Sequence, residues 1–191
     1  QASATLEDSF APQGRLIPAP LATAPFPHPD RAQGHTYKNR LYPAAEHYSD
    51  NTVALFIPHG FRETGTVDFV IHFHGWNNNV ATTLRTFHLF EQLVASGKNA
   101  VLVVPAGPRN APDSVGGKLE DPAGFNRFMA EVVATLRRRT AFKSPDFSVG
   151  RIILSGHSGG YRVIAAILDR GGRPRNADEV WLFDALYGHT D

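Results

Sequence analysis

From residue 51 onward, short apolar runs alternate with stretches in which apolar residues recur every three or four positions. The runs have the length of buried strands, and the periodic stretches have the spacing of amphipathic helices. Strands that alternate with helices favour a parallel sheet, because right-handed crossovers place helices against it. The sequence therefore predicts an α/β fold, with a mostly parallel sheet flanked by helices on both faces.

The strands and helices of this domain can be placed along the chain. Strands are predicted at residues 53–57, 67–73, 100–104, 151–155 and 179–183. Helices are predicted at residues 80–95, from the cap Asp121 to residue 139, and around residues 163–168. In sheets of this kind, ligands bind beyond the C-terminal ends of the strands, so the functional residues are expected there.

The first part of the chain has a different composition. Six of the fourteen prolines lie within the first 30 residues. Proline fixes φ and lacks an N–H group, so these prolines disfavour a regular helix or a central strand. We therefore predict a Pro-rich N-terminal arm over residues 1–50, which lies along the surface of a domain formed by residues 51–191.

Length, charge and cysteine content exclude several classes of protein. The chain has 191 residues, which suits about one domain, and its formal charge of +1 lacks the basic excess that nucleic-acid binding requires. No run approaches the roughly 18 to 20 apolar residues of a membrane span. The absence of cysteine excludes disulfides, thiolate zinc sites and a cysteine nucleophile. We expect neither a nucleic-acid partner nor a membrane span.

The most specific local pattern lies between the predicted strand 151–155 and the helix that follows it. Residues 156–160 read Gly-His-Ser-Gly-Gly and fit the pattern G-x-S-x-G. A strand, a sharp turn and a helix in this order are typical of a nucleophile elbow, which exposes a serine hydroxyl at a helix N-terminus. The pattern predicts that Ser158 is a nucleophile, and an ordinary glycine-rich turn is the alternative.

A second motif, His74-Gly75-Trp76, directly follows the predicted strand 67–73. Together the two motifs resemble the α/β-hydrolase superfamily, in particular its secreted serine esterases and lipases. The resemblance implies that this segment lies at an oxyanion hole, with the backbone N–H groups of Trp76 and Gly159 stabilising the tetrahedral anion of acyl transfer. A polar strand end followed by an asparagine-rich turn is the alternative.

A serine nucleophile needs a base, and the base needs an acid that orients it. The resemblance implies that both follow the serine, with the acid first. Asp184 directly follows the predicted strand 179–183, and His189 is the only histidine beyond it. We therefore predict Asp184 as the acid, with a loop-bracing role as the alternative, and His189 as a candidate base. Most members of the superfamily carry the acid one strand later, so these two residues depart from its pattern.

The distance from Ser158 to the last residue is short for that superfamily. Only residues 159–191 follow the serine, where the superfamily adds at least two further strands. The fold is therefore predicted to lack its last strands. We expect a longer chain or a second polypeptide to complete it and to carry the base, and a shortened domain that uses His189 is the alternative.

His72 and His74 alternate along a predicted strand and would face the same side, as a pair of metal ligands does. No third ligand stands nearby at metal-binding spacing, so neither a metal nor another cofactor is expected. His74 is better explained as a residue that braces its loop through hydrogen bonds.

The sequence as a whole predicts a serine hydrolase that cleaves carboxylic esters, small or polymeric, through an acyl-enzyme on Ser158. The chain begins at Gln1 among small residues, as after signal-peptidase cleavage, so a secreted or periplasmic location is expected. An amidase or peptidase of the same fold and a non-catalytic binding domain are the alternatives. Trp76, Tyr161 and Tyr187 flank the predicted site as candidate walls of an acyl or sugar pocket.

Overall fold

The computed structural model describes residues 5–139, 142–144, 146–172 and 177–188. Its strands are β1 (Gly14–Pro20), β2 (His35–Tyr37), β3 (Arg40–Tyr42), β4 (Thr52–Pro58), β5 (Thr66–Phe73), β6 (Ala100–Pro105), β7 (Ser148–His157) and β8 (Ala177–Phe183). Its α-helices are α1 (Leu6–Phe10), α2 (Ala44–His47), α3 (Val80–Thr86), α4 (Leu89–Ser96), α5 (Gly124–Arg139) and α6 (Tyr161–Asp169). No helix in the described ranges is long and apolar enough to cross a membrane.

The main sheet has the strand order β1-β4-β6-β5-β7-β8, and β2 and β3 form a separate hairpin. β4 runs antiparallel to β1 and β6, whereas β6, β5, β7 and β8 all run parallel. The chain leaves β5 for β6 on one side and then crosses over to β7 on the other. The order therefore reverses at β5, which is where an open α/β sheet forms its binding crevice.

Helices cover both faces of this sheet, because successive residues of each buried strand point to opposite sides. In β5, Phe69 and Ile71 belong to the core beneath α5 and α6. Val70 belongs to the second core, beneath α1, α3 and α4. The predicted α/β class, with a mostly parallel sheet between two helical layers, is confirmed.

The first 50 residues contribute to this sheet. β1 pairs with β4 as an antiparallel edge strand, in which Pro18 lies opposite Ala54. An edge strand tolerates proline, because a missing N–H group on its outer side costs no ladder hydrogen bond. Leu16 and Ile17 are buried, each in a different core. The boundary predicted at residue 50 therefore divides a single continuous sheet.

Two predicted helices have different bounds in the structure. The helix predicted over residues 80–95 is two helices, because His88 has a left-handed φ of 49° that interrupts the helical backbone. The helix predicted from Asp121 begins only at Gly124, because Ala123 has a φ of 56°. His88 and Ala123 both adopt the left-handed conformation, which residues other than glycine rarely adopt. The periodicity of the sequence does not indicate it.

A buried charge cluster holds the loop that follows β6. The side chain of Asp113 is only 5% exposed and accepts hydrogen bonds from Arg31 Nε (2.7 Å) and the hydroxyl of Tyr48 (3.1 Å). Its other oxygen accepts from the backbone N–H of Ser114 at 2.8 Å. Burial alone raises the pKa of Asp113, but the hydrogen bond and the charge of Arg31 outweigh it and hold that pKa below its usual value. The cluster thus joins the N-terminal region to this loop.

We predict that Arg31→Met lowers the free energy of unfolding by about 3 kcal/mol at pH 7, because it leaves the Asp113 carboxylate buried without its cation. Urea unfolding measures this loss. The loss should shrink as the pH falls to about 4 and below, because burial without the cation raises the pKa of Asp113 in the variant and its carboxyl group becomes neutral there. Arg40→Met, at an exposed position of β3, is the matched control. Equal losses in the two variants at pH 7 would contradict the prediction.

Candidate active site

Ser158 stands at the turn between β7 and α6. It opens a single 3-10 turn, Ser158–Gly160, that leads directly into the helix, and its own φ is 50°. A left-handed φ is strained for a residue with a side chain, and such strain concentrates at functional sites. The strand, sharp turn and helix predicted around this serine are therefore present, with the strain at the serine itself.

Two loops press closely against this elbow. A β-carbon on Gly75, in the loop after β5, would lie 2.8 Å from the β-carbon of Ser158 and 3.0 Å from the carbonyl oxygen of His157. A β-carbon on Gly159 would collide with the hydroxyl of Ser114, in the loop after β6. Glycine is needed at both positions, because any larger residue would push the loops away from the serine.

The main chain of the first loop also approaches the amide of Gly159. A β-carbon on Gly75 would lie 3.3 Å from the Gly159 nitrogen, and one on Gly159 would lie 3.1 Å from Cδ1 of Trp76. The segments predicted to supply the two oxyanion donors, Trp76 and Gly159, are therefore neighbours in space.

His74 joins the loop after β5 to the loop after β6 through hydrogen bonds. Its imidazole is buried, its Nδ1 donates to the carbonyl oxygen of Gly75 at 2.8 Å, and its Nε2 accepts from the backbone N–H of Gly107 at 3.2 Å. Burial lowers the pKa of His74, so the ring is neutral and can fill both roles. The side chain fixes the loop after β5 against the loop after β6.

His72 is buried in a different environment. Its Nδ1 lies 2.9 Å from the hydroxyl of Ser155 on β7, and its Nε2 is buried with no hydrogen-bond partner. Burial, reinforced by the nearby His74 and His157, lowers the pKa of His72 to about 3. In the described ranges no three ligating side chains converge as a metal site would require.

Asp184 directly follows β8, has a φ of 46° and is exposed. The hydroxyl of Tyr187 interacts with the side chains of both Asp184 and Ser158. The bond with Asp184 is the largest cause that raises the pKa of Tyr187, whereas the bond with Ser158 lowers it. A phenol with a raised pKa stays protonated at neutral pH, so Tyr187 is a hydrogen-bonding residue rather than a base.

The structure thus brings Gly75, Trp76, Ser158 and Gly159 together. The hydroxyl of Tyr187 interacts with both Ser158 and Asp184. His189 lies outside the described residues. Sequence reasoning named Tyr187 only as a candidate wall. In the sequence, only the position of Tyr187 three residues after the predicted acid Asp184 indicated that Tyr187 lies near the site.

No family model matches the chain, and no curated protein does. Solved structures match at low identity. Esterase B from Lactobacillus rhamnosis, inhibited by a tributyrin phosphonate, is 22% identical with a TM-score of 0.33, over 61% of this chain and 34% of that one. A ferulic acid esterase is 18% identical with a TM-score of 0.40, over 60% of this chain and 46% of that one.

A third solved structure is brefeldin A esterase, described as a bacterial homologue of human hormone-sensitive lipase. It is 25% identical with a TM-score of 0.38, over 68% of this chain and 34% of that one. The chain therefore spans between a third and a half of the length of these esterases.

We predict that His72 makes stability depend on pH. The pKa of His72 is about 3 in the folded protein, against about 6.5 for histidine in an unfolded chain, so between these values the unfolded state binds more protons. The free energy of unfolding should therefore fall as the pH falls, by about 1.4 kcal/mol per pH unit near pH 5 for this one histidine.

Urea unfolding between about pH 4 and about pH 5.5, limits that lie about one unit inside those two pKa values, measures this slope. His72→Gln should reduce it by the contribution of one proton. His88→Asn is the control, because the side chain of His88 is 70% exposed. An unchanged slope in His72→Gln would mean that His72 does not carry the effect.

Proposed function

We propose that the chain is a serine hydrolase that cleaves carboxylic esters through an acyl-enzyme on Ser158. The observation that carries this proposal is the left-handed Ser158 at the tip of the strand-turn-helix elbow, with the loop of Gly75 packed against its β-carbon. A strained turn of this kind presents a hydroxyl outward at a helix N-terminus, where amide dipoles favour developing negative charge.

The reaction follows from this arrangement. The oxygen of Ser158 attacks the ester carbonyl and gives up its proton to a base, and the carbonyl oxygen becomes an anion. The backbone N–H groups of Trp76 and Gly159 are our candidates for its donors, each worth roughly 3 kcal/mol in known oxyanion holes. The alcohol leaves with a proton, and water then releases the acid from the acyl-enzyme.

We assign Asp184 as the orienting acid, and the base is His189 or lies outside this chain. Asp184 and Ser158 both form hydrogen bonds with one oxygen, that of Tyr187. This supports Asp184 as the acid, because a base placed between the two groups would reach both.

We predict that Ser158→Ala lowers kcat/KM for p-nitrophenyl acetate at least about a thousandfold, because it removes the oxygen that attacks the ester. Labelling by a fluorophosphonate probe should disappear as well, while the thermal midpoint stays close to that of the parent. Ser49→Ala, at an exposed position after α2, is the matched control. A parent protein that neither labels nor turns over the ester would favour the non-catalytic binding domain.

We further predict that Gly75→Ala lowers kcat/KM by about a hundredfold, because its methyl group would displace the elbow and small displacements of reacting atoms are costly. The measurement is hydrolysis of the same ester, with urea unfolding to confirm that the protein remains folded. Ala95→Val is the control, since Ala95 lies at an exposed position of α4. Similar activity in both variants would argue against the tight approach of Gly75 to Ser158.

A further inference from the structure

An exposed indole lies directly beside the nucleophile. Trp76 follows Gly75, and its Cδ1 would lie 3.1 Å from a β-carbon on Gly159, the residue after Ser158. Despite this contact, 44% of Trp76 remains exposed. Large aromatic side chains usually bury most of their surface, so an open tryptophan at this position is available to a ligand.

A second aromatic residue, from a distant part of the chain, meets this indole. The ring of Tyr37 lies 5.3 Å from that of Trp76 at an interplanar angle of 72°, an edge-to-face contact. Tyr37 ends β2, and the hairpin turns immediately at Lys38 and Asn39, both of which have a left-handed φ. The ammonium group of Lys38 lies 5.4 Å from the centre of the Tyr37 ring. We call Tyr37 and Trp76 the aromatic wall.

The hairpin that carries Tyr37 is anchored at its base. On β3, the ring of Tyr42 packs edge-to-face on His47 at 5.2 Å. His47 in turn exchanges hydrogen bonds with Arg109, in the loop after β6: its Nδ1 donates to the Arg109 carbonyl at 2.6 Å, and the Arg109 N–H donates to the His47 carbonyl at 2.8 Å. The wall is therefore held against the same loop that packs on the elbow.

We propose that the aromatic wall binds a planar aromatic ring of the ester substrate, and that Tyr37 is a specificity-determining residue for the reaction at Ser158. An edge-to-face pair occupies one face of one ring and the edge of the other, and the 44% of Trp76 that stays exposed can pack against a further aromatic ring, stacked or edge-on. This proposal rests on the proposed function, because it places the ring of the substrate next to the serine that attacks its carbonyl.

Two asparagine side chains that follow the wall make hydrogen bonds within the protein. Asn79 Oδ1 accepts from the backbone N–H of Thr82 at 3.0 Å and so caps α3, and Asn78 Oδ1 accepts from the N–H of Asn79 at 2.9 Å. Asn79 Nδ2 donates to Asn110 at 2.9 Å.

The test compares three esters hydrolysed by the parent chain and by Tyr37→Ala. Methyl benzoate carries its ring in the acid, phenyl acetate carries it in the alcohol, and methyl butyrate has none. For the ring ester that reaches the wall, Tyr37→Ala should lower kcat/KM about tenfold, mainly through KM, as expected for the loss of one aromatic contact. Methyl butyrate should change less than about twofold, because it lacks the group that the wall binds.

Leu41→Ala is the matched control, because Leu41 lies on the same hairpin and is 55% exposed. It should behave as the parent on all three esters. An equal loss on all three in Tyr37→Ala would overturn the proposal, because the hairpin would then only support the fold. No loss on any of them would overturn it as well. The ester that responds tells which side of the scissile bond faces the wall.

Binding to Ser158→Ala separates this proposal from the proposed function. Quenching of tryptophan fluorescence by methyl benzoate or phenyl acetate should be weaker in Ser158→Ala/Tyr37→Ala than in Ser158→Ala alone. If the parent hydrolyses no ester but this difference is found, the wall stands and the hydrolase assignment fails. If the parent hydrolyses esters and no difference is found, the wall is overturned and the hydrolase assignment stands.

Discussion

The parallel pairing of β5 with β7 is the constraint on which the candidate site depends. Phe73 lies opposite Gly156 in this register, so both strands end at the same edge of the sheet. The chain then leaves β5 towards Gly75 and leaves β7 towards Ser158, and the two turns must share one small space. Glycine at position 75 makes that approach possible, since a β-carbon there would lie 2.8 Å from that of Ser158.

Buried polar contacts then hold the surrounding loops in place. His74 joins the loops after β5 and β6, and Asp113 joins the second of these loops to Arg31 in the N-terminal region. Interactions of this kind contribute less to net stability than burial of apolar surface does, but they select one arrangement, because an unpartnered polar group in the interior is costly. A site that stabilises a developing charge needs such fixed loops, since its donors must not reorganise during the reaction.

The elements of the domain could be predicted because their signals are local. Apolar runs marked β4 to β8, and the glycine-rich turn marked the elbow around Ser158. Prediction failed where one backbone angle decided the outcome. The left-handed φ of His88 divides a stretch that periodicity presents as one helix. The sequence-based prediction also missed β1. Prolines that exclude a central strand are compatible with an edge strand, and the partner of β1, β4, lies more than thirty residues further along the chain.

By itself, the sequence determined the alternation of strands and helices and the sharp turn that carries Ser158, because periodicity and glycine content act over a few neighbouring residues. Only the tertiary structure decided what surrounds that serine. Tyr37 meets Trp76, Gly75 meets Ser158, and one phenol contacts both Ser158 and Asp184. These contacts join residues from β2 to the segment after β8, and they depend on the order of strands in the sheet, which no local pattern encodes.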